Sequence, residues 1–147
     1  MPTPIREQVI AEMQTRLARL VASGECLRCR PYADETEFIA IWDGEEDAET
    51  EAFGRVKNTL PLAVVWSLKY TADDFATKLN TMLADLIKEV CLNGSAQFDK
   101  TLGGLASGVG YTGSSMKYPA SGSAFISLGA VFTVEYPTKL GDPYSQP

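Results

Sequence analysis

The chain has 147 residues, 45% of them hydrophobic and 22% charged, with a net charge of −6 at neutral pH. This is the size and balance of one globular domain with an ordinary core. No apolar run approaches the ~20 residues of a membrane helix, and the acid excess disfavours non-specific binding to nucleic acid.

The first predicted element is a helix from Pro4 to Ala22. Thr3 stands at its N-cap, and Pro4 suits the first helical position because its missing N–H would be unpaired there anyway. Ile5, Val9, Met13 and Leu17 repeat at helical spacing, and Gly24 ends the helix. Two strands follow. Glu37 to Trp42 is rich in Ile, Phe and Trp and stops at Asp43-Gly44. Leu62 to Tyr70 places Leu62, Val64, Trp66, Leu68 and Tyr70 on one face. Between these strands, residues 43–51 carry six carboxylates in nine positions. That density repels itself, so the segment reads as a solvated loop with a short helical turn near Glu49 to Phe53.

A second helix is predicted from Ala72 to Leu92. Thr71 and Asp74 resemble a capping box, and Asn93-Gly94 forms the stop. Phe75, Leu79, Met82, Leu83, Leu86, Ile87 and Val90 make its apolar stripe. From Leu102 to Ala124, 11 of 23 residues are Gly or Ser and the only charge is Lys117. Small side chains repay ordering entropy poorly, so this reads as a long permissive loop. A shorter strand near Val109 to Thr112 could pair with the final strand, Phe125 to Tyr136. The order is α-β-β-α-β-β. It implies an α+β domain spanning 1–147, with a single mostly antiparallel sheet of about four strands and two helices packed on it. Flexible loops are expected near 43–56 and 102–123.

Chemistry is sparsely signalled. The absence of histidine removes the commonest general base, the usual zinc ligand and every Ser-His or Cys-His pair. Cys26 and Cys29 have Cys-x-x-Cys spacing, and Arg28 and Arg30 could lower a thiol pKa. The odd total with Cys91, and the start without a signal-peptide pattern, argue for reduced thiols in a cytosolic setting. No second pair completes a zinc site, so two ordinary thiols are the plainer reading, with a redox protein as the alternative. The glycines from Gly103 lack the Gly-Lys-Ser/Thr of a phosphate loop. The acidic run lacks the spacing of a calcium loop. Arg6, Arg16 and Arg19 share no single helix face and read as solvent-facing charges. Trp42 and Trp66 read as core or sheet-face residues rather than a base-stacking platform.

One resemblance runs along most of the chain. Its pieces are Ile5-Arg-Glu-Gln, Ile39-Ala-Ile-Trp-Asp-Gly-Glu-Glu, Leu60-Pro-Leu-Ala-Val-Val-Trp with Lys69-Tyr70, and the helix from Ala72. They continue with Thr101-Leu-Gly-Gly-Leu, Tyr111-Thr-Gly, Val131-Phe-Thr-Val-Glu-Tyr and Gly141-Asp-Pro-Tyr. In this order they resemble the tail terminator (tail completion) proteins of long-tailed bacteriophages. The resemblance implies a structural virion protein of the tail-neck region, assembled in the host cytoplasm, with no enzymatic activity, cofactor or metal. It implies a homo-oligomeric ring, a hexamer, that caps the tail tube, stops its polymerisation and meets a head-side connector protein, with DNA passing through the hole. Gly103, Gly104, Tyr111, Thr112 and Tyr118 are then candidates for the subunit or tube interface. Asp43, Glu45, Glu46 and Asp47 are candidates for acids facing the channel or a neighbour. Another neck connector protein, or an acidic binding module unrelated to phage, are the alternatives.

Overall fold

Two fifteen-residue strands with strict alternation dominate the architecture. The computed structural model describes residues 2–29, 37–92, 101–119 and 124–147. In chain order the elements are α1 (Ile5–Ala18), β1 (Cys26–Arg28), β2 (Glu37–Asp43), β3 (Asp47–Glu51), β4 (Arg55–Lys69), α2 (Phe75–Leu92), β5 (Gly108–Lys117) and β6 (Phe125–Lys139). The strands form a six-stranded sheet in the order β1-β2-β4-β6-β5, with β3 also paired to β4. Every pairing is antiparallel except β1 with β2. The α+β class with two helices and a mostly antiparallel sheet is therefore as expected.

Leu60, Leu62, Val64 and Trp66 of β4 and Leu128, Ala130, Phe132 and Val134 of β6 are buried on one face. Both helices cover that face: α1 packs on β1, β2 and α2, and α2 on β5 and β6. The α1 stripe buries Ile5, Val9, Ile10, Met13 and Leu17; the α2 stripe buries Leu79, Met82, Leu86 and Val90. Each such side chain contributes roughly 1.5–3 kcal/mol on leaving water. The other sheet face carries Trp42, Ala63, Val65, Gly129 and Val131, which are half-buried or exposed.

Several expectations change. Six strands replace about four, in the order α-β-β-β-β-α-β-β. Cys26–Arg28 is too short for any alternation to show. Asp47–Glu51 is a strand rather than a solvated loop, although all five residues are exposed. Its acids are tolerated because Glu49 and Glu51 lie directly across from Lys57 and Arg55, and opposite charges stabilise such cross-strand pairs. Only Ala52–Gly54, at the hairpin tip, is helical, as a 3-10 turn broken by Phe53 at φ 64°. The glycine-rich region pairs along all of β5, not only near Val109 to Thr112, with a bulge between Tyr111 and Gly113.

Helix ends also differ. α1 stops at Ala18, and Gly24 at φ 69° closes the turns after it. Pro4, not Thr3, is the N-cap and gives no side-chain cap. The C-terminal segment takes that role: the Ile5 N–H donates to the Pro143 carbonyl at 3.0 Å. At the start of α2, Asp74 accepts a hydrogen bond from the Tyr70 hydroxyl, and that carboxylate, by favouring the neutral phenol, raises the Tyr70 pKa. The expected stop at Asn93-Gly94 lies outside the described residues.

Candidate functional site

The acidic corner after β2 folds onto cations of its own chain. Arg28 makes a fork with Asp43, Nε to Oδ1 at 3.2 Å and Nη2 to Oδ2 at 2.8 Å, and its third nitrogen reaches Glu7. Arg6 lies 3.6 Å from Asp43 and 3.5 Å from Glu46. The Tyr136 hydroxyl donates to Glu46. Arg28 hydrogen bonding holds the Asp43 carboxyl below the usual carboxylate range, and the same bonds push the guanidinium up. Burial, helped by Glu46, raises the Tyr136 phenol. Asp43 and Glu46 thus tie α1, β1 and β6 together. Glu45 and Asp47 remain exposed, with no ion pair among the described residues.

The two candidate glycines lie in a tight turn rather than an open loop. Thr101 accepts from the Gly104 N–H through its carbonyl at 3.1 Å and its hydroxyl at 3.2 Å, and from the Ala106 N–H at 2.9 Å. Gly103 and Gly104 take φ of 72° and 90°, which a side chain would oppose. Leu102 sinks into the core and anchors the turn. Residues 101–119 are therefore a tied turn and a paired strand where a long loop was expected.

β5 is an outermost strand that carries Tyr111 and Thr112, and Tyr118 follows its last residue. Thr112 sits at the bulge and its hydroxyl donates to the Val131 carbonyl at 3.0 Å. Tyr111 lies on the Phe132 ring at 5.9 Å, with its outer side exposed. Tyr118, 56% exposed, meets Phe75 of α2 edge-on at 5.8 Å. The structure brings Tyr111 and Thr112 together at one edge and places the acidic corner on the far side of the sheet.

Three features escaped sequence reasoning. The Phe53 side chain stands entirely in solvent at the tip of the β3–β4 hairpin, beside exposed Leu140, whose N–H donates to the Gly54 carbonyl at 2.7 Å. The pair Phe-Gly between a run of acids and Arg55 was the signal available. A surface hollow of about 640 Å³ lies between the outer side of α1 and β1, lined by residues including Ala11, Gln14, Ala18, Gly24 and Glu25. Arg16 is fully buried rather than solvent-facing; it donates to the Val90 carbonyl at 2.8 Å and to Glu12 at 3.1 Å.

The cysteines are free thiols. Burial pushes Cys26 up to about 12, so it is a poor nucleophile at neutral pH. Cys29 is exposed and approaches Asp43 Oδ1 at 3.6 Å. Trp66 is in the core and Trp42 half-buried on the other sheet face. No protein-family model matches the chain, and no curated protein matches it significantly.

Proposed function

We propose that this protein is a structural, non-enzymatic ring subunit of a long-tailed bacteriophage, which caps the tail tube and offers its outer face to the head-side connector. The observation that carries the reading is the ordered resemblance from Ile5 to Tyr144. The resemblance pieces fall on the body of the fold: α1, β2, β4, β6 and the exposed edge strand β5. An edge strand of ten residues whose only charge is its last residue, Lys117, is a ready acceptor for another strand. The Phe53 hairpin adds an aromatic anchor at one end of the molecule, the kind of side chain that dominates protein–protein contacts.

Assembly is templated in this reading. The subunit stays largely monomeric until the tube end supplies a binding surface, and the seated ring covers the growing edge. The ring is a hexamer through which DNA passes, and the exposed Glu45 and Asp47 discourage DNA from sticking. Electron microscopy of the purified protein with headless tails and, separately, with tail-less heads tests this. A ring at the head-proximal end of the tail is the expected result. Binding to heads alone would assign it to the neck connector; binding to neither would end the proposal.

A further inference from the structure

We infer that neighbouring copies join edge to edge, β5 of one against β1 of the next, with Tyr118 seated in the hollow beside α1 and Lys117 facing Glu25. This rests on the ring reading above and names the contact that builds the ring. The register carries it. Leu27, Ala40, Val65, Gly129 and Ser115 form one straight row across the whole sheet. So do Cys26, Ile39, Trp66, Leu128 and Met116, and so do Arg28, Ile41, Val64, Ala130 and Ser114. The two outermost strands therefore stand at the same height. The pairings also fix direction: β1 runs with β2, against β4, with β6 and against β5.

A second copy in the same orientation thus meets β5 with an antiparallel β1 in matching register. Residues opposite one another in such a ladder point to the same face, so the helices of both copies stay on one side. The side chains then match. Met116 faces buried Cys26, apolar against apolar. Lys117, in the row of Ser127, Ser67 and Phe38, reaches the position one step before Cys26, which is Glu25. Tyr118 is one step further and on the helix side, where Gly24, Glu25 and the outer face of α1 line the hollow. Lys117 and Glu25 are both exposed and have no ion pair among the described residues.

The contact is short by construction. The Cys29 N–H turns inward to the Ile41 carbonyl at 2.9 Å, and Gln14 already occupies the Cys26 carbonyl at 3.0 Å. By the two-residue alternation of a strand, Arg28 holds most of the free backbone groups on that edge. A weak edge of this kind keeps single copies apart until a template aligns them.

Charge exchange tests it. Lys117→Glu and Glu25→Lys should each lower self-association at least tenfold in sedimentation at high protein concentration, and abolish rings on purified tails. The double variant should restore both, and Tyr118→Ala should weaken both, with unchanged circular dichroism throughout. A double variant no better than the singles, an inert Tyr118→Ala, or a native chain that never associates, alone or on tails, would overturn the contact. Rings that cap tails whatever the charges at 117 and 25 would refute the contact and leave the capping reading standing. Charge-dependent association that never decorates a tail would do the reverse.

Discussion

Arg16 and Asp43 show how single side chains hold separate elements together. The Arg16 guanidinium reaches from α1 to the Val90 carbonyl in the last turn of α2, where the helix leaves carbonyls short of partners and its dipole favours a cation. Arg16→Leu should destabilise the fold by about 2–3 kcal/mol in urea denaturation, since removing one member of a buried charged group leaves the others without it. Asp43 predicts a pH effect. Its folded pKa lies below the unfolded one, so its contribution is present above the unfolded carboxylate value and is lost as the pH falls through the folded value. Asp43→Asn should therefore cost about 1 kcal/mol at pH 7, an amount limited by solvent screening of a partly exposed group. The gap from the native chain should close below about pH 4, the carboxylate range. A gap that persists undiminished in thermal melts at low pH would show that geometry, not charge, is responsible. Phe53 has the opposite character. At φ 64° and fully exposed, it is strained for a bulky residue. Phe53→Gly should stabilise the isolated subunit by about 0.5–1 kcal/mol while weakening its attachment to tails.

At the scale of elements, the corner between β2 and β3 is a tight joint. A Cβ on Gly44 would lie 2.5 Å from the Pro61 carbonyl oxygen and 2.8 Å from its ring, and the Gly44 N–H donates to that same carbonyl at 2.9 Å. Gly44→Ala should cost about 1–3 kcal/mol, the range for forced repacking, measured by denaturant titration. Sequence reasoning found the elements that have a period. The α1 and α2 stripes, the β4 face from Leu62 to Trp66 and the alternation of β6 were all legible, because burial on one side imposes spacing. β3 was not legible, because a strand wet on both faces has no apolar period and its charges match across the ladder. β5 was only partly legible: glycine and serine announce permissiveness, while its pairing comes from β6. The network around Asp43 was hidden because its members are distant in sequence. The acids of the corner were visible, and their partners Arg6, Arg28 and Tyr136 were not assigned to them.

Across the described residues, the sheet has one face under helices and two lateral edges, β1 and β5, with no further strand beside them. Association can then add contacts without unfolding anything. The C-terminal segment completes the molecule differently. Its Pro143 carbonyl receives the first amide of α1, Ser145 accepts from the Lys139 N–H at 2.9 Å, and Gln146 donates to the Gly104 carbonyl at 3.0 Å. Removing residues 140–147 should speed hydrogen exchange at the first turn of α1 and at the Thr101–Leu105 turn, with little change in α2. The first turn of α1 and the segment after β6 consequently share one seam. A gene permuted within these residues, with a short peptide bridging that seam and the chain opened at the Phe53 tip, should yield the same body, and would let a fluorescent reporter be attached at that tip.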